Sequence, residues 1–163
     1  MALEFWTNKS GEKRLCEELF DSIAEEKGKI LAKDYYESKE KLNNPTQIRR
    51  FFDEIVTFNS RCDLLVKSAD ADKKLSVFKQ QLPFVMMLIP KVRYAYAREL
   101  VSKNFMTLME DSTKCITEPE DLKVFTSFFE AVIGNFKYYI KVLKDEYRNK
   151  NTYNASKHNE RRY

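Results

Sequence analysis

The chain has 163 residues, of which 43% are hydrophobic and 33% are charged, and its net charge is +4. This length and composition are typical of one globular domain with its own core and a well-charged surface. Three glycines and four prolines are too few for the frequent turns of a β-rich fold. The sequence has neither an 18-residue apolar run nor a signal-peptide leader, so we expect a cytoplasmic protein without membrane association.

The spacing of apolar residues predicts helices separated by short connections. After a lead-in at residues 1–10, the predicted helices span residues 12–42, 45–67, a brief segment ending at 82, 83–109 and 119–148. Asn44 and Pro45 mark the start of the second helix, as an N-cap followed by proline at the first helical position. Pro90 lies inside the fourth pattern, where we expect a kink or a fresh start.

We therefore predict an all-α fold, a compact bundle of about five helices in one domain at residues 1–148. Residues 149–163 are polar and rich in asparagine, and we expect them to be a disordered tail. Cys16, Cys62 and Cys115 lie about 50 residues apart, which suits neither a zinc cluster nor a disulfide framework. His158 is the only histidine. We predict no metal site and no cofactor.

The charges are unevenly distributed along the chain. Residues 1–40 carry 7 basic and 10 acidic side chains, whereas residues 41–110 carry 12 basic and 7 acidic ones. Residues 137–162 carry 8 basic and 3 acidic side chains. Two basic regions on a nearly neutral protein fit a localised surface for a polyanion, and they equally fit ordinary solvated faces.

Two helices place cations on one face. The fifth predicted helix carries four cations that are spaced four, three and four residues apart: Lys137, Lys141, Lys144 and Arg148. They extend over about 16 Å, at 1.5 Å per residue. On the fourth, Lys91, Tyr94 and Arg98 gather opposite an apolar side that includes Tyr96, with Ala95 and Ser102 beside them. Cations that flank an aromatic ring are suited to a nucleic-acid strand, although a solvated face remains the alternative for both helices.

Arginines on the second helix have an alternative explanation. Arg49 and Arg50 each precede an acidic residue by four positions, Asp53 and Glu54 respectively. Residues at this spacing are neighbours on a helix surface. We therefore predict that each arginine forms an intrahelical ion pair.

Three stretches, at residues 46–55, 90–98 and 129–139, together resemble the small α-helical subunit of type III-A CRISPR effector complexes. The first has Gln, an aliphatic residue and Arg followed by aromatics, and the second has Pro-Lys-aliphatic, then Tyr-Ala, and ends in Arg. The third joins a Phe-Glu-Ala-Val-Ile run to Lys137 and two tyrosines. The match covers residues 45–140, but Phe136 stands where the family has a histidine.

The resemblance implies several copies of the subunit stacked beside guide and target RNA in a ribonucleoprotein. Its partners there would be a repeated backbone subunit and a large polymerase-like subunit, which carry out cleavage, while the small subunit contacts RNA without cutting it. Together with the basic faces, this makes the following candidate RNA-binding residues: Arg49, Lys91, Arg93, Tyr94, Arg98, Lys137, Lys141, Lys144 and Arg148.

Other functions fit the same sequence. The chain could be a helical protein–protein adaptor with solvated basic faces, or the small subunit of the sister type III-B complex. A metal-dependent nuclease would need Asp53 or Glu54, but adjacent residues on a helix diverge by about 100°, so carboxylate pairs of this kind point apart. We also expect self-association through apolar surface on the long first helix and the aromatic-rich faces.

Overall fold

The computed structural model describes residues 3–9 and 11–160, without the side chains of 9, 147 and 149–160. Its strands are β1 (Trp6–Lys9) and β2 (Glu12–Leu15), followed by a π-helical turn (Leu19–Ile23). Its helices are α1 (Ala24–Glu37), α2 (Pro45–Ser68), α3 (Lys74–Met86), α4 (Leu88–Ala97), α5 (Lys103–Lys114) and α6 (Pro119–Glu160). The predicted all-helical single-domain class is confirmed.

The start of the first predicted helix is wrong. Residues 12–15 form β2, which pairs antiparallel with β1 so that Trp6 lies opposite Leu15. Gly11 in the connecting turn has a φ of +82°, a conformation that is easy for glycine and costly for other residues. Because the hairpin takes up this segment, the regular helix begins only at Ala24.

The fourth predicted helix is divided into two. Arg98 ends α4, Glu99 adopts a left-handed φ of 56°, and Ser102 begins the next helix. The Ser102 hydroxyl accepts a 3.2 Å hydrogen bond from the Phe105 N–H, as a serine N-cap does. Apolar spacing alone does not detect this break, because both helices keep apolar residues facing the core.

The prolines of the fourth predicted helix have different roles from the predicted ones. Pro83 does not open a helix but lies inside α3, which continues to Met86. The fresh start predicted near Pro90 occurs two residues earlier, at Leu88. Pro90 therefore sits in the first turn of α4, where its missing N–H costs no intrahelical hydrogen bond.

Helix α6 provides the centre of the core. The apolar spacing of the fifth predicted helix puts Leu122, Phe125, Phe129, Val132 and Phe136 on one inner face, and all five are buried, as that spacing predicts. Rings from other elements meet it, with centroids 5.9 to 6.4 Å apart: Phe5 to Phe125, and both Phe52 and Phe105 to Phe129. The backbone of α6 continues past the predicted end at Arg148 to Glu160. Residues 161–163 lie outside the described part, and the disordered tail stays a prediction.

The hairpin is attached to the start of α6 through the buried carboxylate of Asp121. One oxygen accepts a 2.7 Å hydrogen bond from the Trp6 indole N–H, and the other accepts bonds from the Thr117 N–H, the Thr117 hydroxyl and the Glu118 N–H. Burial alone would raise the pKa of this carboxyl. The hydrogen bonds from Thr117, Trp6 and Glu118 outweigh burial, so its pKa lies below the ordinary value of 3.8.

Helices α1 and α6 approach closely at Gly28. A Cβ atom at this position would lie 2.6 Å from the Asn135 Cβ and 2.7 Å from the Phe136 backbone nitrogen. Backbone atoms cannot move aside as a flexible side chain can. Glycine is therefore required for the α1–α6 packing.

We expect Gly28→Ala to lower the free energy of unfolding by about 1–3 kcal/mol, because overpacking forces the helices apart. Gly134→Ala is the matched control, since a Cβ there meets nothing within 4 Å. It should raise stability by up to about 1 kcal/mol through higher helix propensity. Urea unfolding of both variants measures this, and a Gly28→Ala protein as stable as the wild type would contradict the packing.

We expect Asp121→Asn to cost about 1–3 kcal/mol at pH 7, because buried donors lose their charged acceptor. A carboxyl whose pKa is lowered by folding stabilises the protein above its unfolded value of 3.8 and loses this effect as pH falls through its folded pKa. The difference between wild type and variant should therefore shrink below about pH 4. Glu120→Gln, at the exposed neighbour, should change stability by less than about 1 kcal/mol at either pH.

Candidate nucleic-acid interface

A groove of about 240 Å³ lies between α2 and α4, and we call it the α2–α4 groove. It brings together polar residues of two separate sequence motifs. Its polar lining consists of Gln47, Arg50 and Glu54 from α2, and Lys91 and Tyr94 from α4. Two stretches about 40 residues apart in the sequence thus form one basic, aromatic surface.

Buried Asn43 fixes the two helix ends that border this groove. Its side-chain amide donates to the Ser102 hydroxyl at 3.0 Å, and its side-chain oxygen accepts from the Ser102 N–H at 2.8 Å. Its own backbone N–H donates to the Leu100 carbonyl at 3.1 Å. Because α2 begins two residues after Asn43, these bonds hold the start of α2 beside the end of α4.

Ion pairs occupy three of the predicted RNA-binding cations. Arg49 pairs with Asp53 at 2.8 Å, as predicted, while Lys91 pairs with Glu54 and Arg93 pairs with Glu110. Only the pair of Arg49 and Asp53 is exposed on both sides, and exposed pairs of this kind contribute only about 0–1 kcal/mol. A phosphate could therefore replace Asp53 at small cost, whereas Glu54 and Glu110 have side chains that are only 28% and 16% exposed.

The predicted pair between Arg50 and Glu54 is wrong. Glu54 binds Lys91 from the neighbouring helix instead, which lies 37 residues away in the sequence. Arg50 is exposed and has no ion-pair partner among the residues that the structure describes. Arg50 is thus a groove cation that reasoning from helical spacing assigned to the wrong role.

Tyr94 lines the groove, and Arg98, which lies four residues further along the chain, contacts its ring. The Arg98 guanidinium carbon lies 5.6 Å from the centre of the Tyr94 ring, and a terminal nitrogen lies 3.4 Å from the tyrosine oxygen. Tyr94 is 64% exposed. The exposed ring with an adjacent guanidinium provides both a stacking surface and a positive charge.

The stripe on α6 consists of Lys137, Lys141, Lys144 and Arg148, all of which are exposed as predicted. The three lysines make no ion pair with any residue in the described ranges. On the side of α6 that faces α1, the Tyr139 hydroxyl donates a hydrogen bond to the Glu25 carboxylate. The Ile140 carbonyl accepts a 2.9 Å hydrogen bond from the Tyr36 hydroxyl. The three lysines therefore face away from α1, and no ion pair among the described residues joins them to the α2–α4 groove.

Three residues that were predicted beside or behind the α4 cations have other positions. Tyr96 was predicted on the inner face but is 41% exposed. Ala95 is buried, and buried Ser102 caps α5 instead of extending the α4 surface. The early end of α4 at Ala97 accounts for the error at Ser102, because helical spacing was extended beyond the last helical turn.

The acidic residues and cysteines that the sequence offered for other functions do not come together in the part of the chain that the structure describes. Asp53 and Glu54 turn to different cations, and the described residues contain no group of three or more histidine, cysteine or acidic side chains suited to a metal ion. Cys16, Cys62 and Cys115 are free thiols. None of the described helices is long and apolar enough to cross a membrane.

These features define a class of small all-α proteins with a surface groove that is lined by basic and aromatic side chains. The family described as Csm2 Type III-A matches residues 16–142. The chain belongs to this family and is a small subunit of type III-A CRISPR effector complexes. Neither a curated protein nor a solved structure matches it. The match extends the predicted resemblance, at residues 45–140, into α1, and it favours type III-A over type III-B.

Proposed function

We propose that the chain is a non-catalytic RNA-binding subunit that stacks in several copies along the guide and target RNA of its complex. The observation that carries this proposal is the α2–α4 groove, where motifs from two helices meet. A basic groove with an exposed ring follows a single-stranded backbone while tolerating any base sequence. Family membership supports the setting, since the chain works beside other subunits of a ribonucleoprotein.

The candidate cations in and around the groove divide into two groups, according to whether each forms an ion pair. Arg50 and Arg98 make no ion pair with a described residue, so they bind phosphate without losing a carboxylate. Arg49, Lys91 and Arg93 must exchange one for a phosphate. We assign Arg50 and Arg98 the larger contributions, Tyr94 the stacking contact, and the paired cations a smaller share.

The α6 stripe is a second RNA contact in this proposal. Lys137, Lys141, Lys144 and Arg148 extend along one face for about 16 Å at 1.5 Å per residue. This length matches two or three nucleotides. Because no ion pair among the described residues joins the three lysines to the groove, each surface contributes its own phosphates.

An adaptor that binds only protein is the second candidate. Leu64, Phe84 and Met87 are 70%, 51% and 49% exposed, and large exposed apolar side chains occur at protein interfaces. In this case the cations are ordinary surface groups. Weak, salt-independent RNA binding would support it.

Binding of a single-stranded RNA of about 30 nucleotides across a salt series tests the proposal. If about four phosphates are contacted, the slope of log affinity against log salt should be near −3, or roughly 50-fold between 50 and 200 mM. Arg50→Ala should flatten the slope by about 0.7, the value for one phosphate on a single strand. Arg49→Ala, its paired neighbour, is the matched control and should have a smaller effect.

The two surfaces are separated by charge reversal. Lys91→Glu/Arg98→Glu reports on the groove and Lys137→Glu/Lys141→Glu on the stripe, while Lys74→Glu/Lys79→Glu on α3 controls for net charge. Each of the first two should flatten the slope more than the control does. Equal effects of all three would mean that only net charge matters, and this would overturn the proposed interface.

A further inference from the structure

Tyr96 is an exposed aromatic residue that does not line the α2–α4 groove. Its ring is 41% exposed at the end of α4 and makes no ring or cation contact with any residue that the structure describes. It lies two positions after Tyr94, so the two side chains point about 200° apart around the helix. Tyr96 therefore faces a different cavity from the α2–α4 groove.

That cavity, which we call the loop cleft, lies between the α1–α2 loop and the α4–α5 loop. Its volume is about 500 Å³, within the range of small-ligand sites, whereas the groove is below that range. Its lining includes the charged residues Lys41, Glu99 and Lys103, together with Tyr96. Neither lysine forms an ion pair with a residue in the described part of the chain.

The backbone of both loops is held in unusual conformations. Lys39, Glu40, Asn43 and Glu99 have left-handed φ values between 56° and 65°, which non-glycine residues adopt rarely. The hydrogen bonds between Asn43 and Ser102 join the two loops. The two walls of the cleft are thus joined to each other by hydrogen bonds.

Lys103 has a position that stability does not favour. It is the first residue of α5, where the helix dipole favours an acidic side chain and disfavours a cation. A lysine there is suited to an anion that binds from outside. Lys41 lies on the other wall, and with Glu99 beside Lys103 the cleft keeps one net positive charge, which favours an anion.

We propose that the loop cleft is a nucleotide subsite, in which one base of single-stranded RNA stacks on Tyr96 and its phosphates contact Lys41 and Lys103. The proposal rests on the proposed function, because the strand reaches the cleft from the groove past Arg98. Tyr94 and Tyr96 then stack bases on two sides of the same helix end. The subsite adds a base contact to a surface that otherwise binds backbone.

Two substitutions at Tyr96 test the stacking contact, with oligouridylate of about 30 nucleotides as the probe. Tyr96→Ala should weaken binding about 5- to 150-fold without changing the salt slope, because stacking on an aromatic ring is not electrostatic. Tyr96→Phe keeps the ring and should bind within about twofold of wild type. A Tyr96→Ala protein with native Tm and unchanged affinity would overturn the subsite.

Substitution of the two lysines should change the salt slope, whereas substitution of Tyr96 should not. Lys41→Ala/Lys103→Ala should flatten the salt slope by about 1.4, as expected for two phosphates on a single strand. Lys103→Glu should weaken binding while its Tm stays at or above that of wild type, because an acid suits the start of α5. A slope unchanged in the double variant would contradict the phosphate contact.

The outcomes separate this proposal from the function on which it rests. If Arg50→Ala weakens binding and Tyr96→Ala does not, the groove binds RNA and the loop cleft is not part of the site. If wild type shows no salt-dependent binding, both proposals are overturned together. Loss of affinity in both variants, with a slope change only for Arg50→Ala, supports both.

Discussion

The hydrogen bonds between Asn43 and Ser102 are the constraint on which the functional surface depends. Asn43 is fully buried, and its side chain both donates to and accepts from Ser102, while its backbone N–H binds the Leu100 carbonyl. A buried amide that lost these partners would leave unsatisfied polar groups in the core, which costs about 1–3 kcal/mol for each group. One residue thus joins two loops that lie about 60 positions apart, and both the α2–α4 groove and the loop cleft take their shape from that junction.

Ion pairing, more than exposure, distinguishes the cations of this surface. Arg49 and Arg50 are neighbours on α2 and both are exposed, yet only Arg49 has an ion-pair partner among the described residues. Arg50 lacks a partner because Glu54 forms its ion pair with Lys91 across the groove. Phosphate contacts supply most of the affinity of a protein for nucleic acid. In the proposed function few free cations are needed, because an exposed ion pair is weak enough for the cation to exchange its carboxylate for a phosphate.

Much of the fold could be predicted from the sequence because helices repeat their apolar residues at a fixed spacing. The start of α2 at Pro45 and the inner stripe of α6 followed from this spacing and from the N-cap at Asn44. The hairpin could not be predicted, since the strand Glu12–Leu15 also fits a helical pattern and its pairing depends on the turn at Gly11. Helical spacing likewise gave the wrong partner for Glu54, because Glu54 forms its ion pair with a residue of another helix. It also gave the wrong face for Tyr96, which lies next to the end of α4.

The central claim is that single-stranded RNA lies along α2 and α4, and photo-crosslinking tests it most directly. Wild-type protein would be irradiated with an RNA of about 30 nucleotides that contains 4-thiouridine, and the adducts would be mapped by mass spectrometry. Our account predicts adducts within residues 41–54 and 88–103, with Tyr94 and Tyr96 among the modified residues, and further adducts within residues 137–148 where RNA also contacts the stripe. Adducts confined to the hairpin or to α3 would contradict it, because RNA would then bind a surface other than the groove.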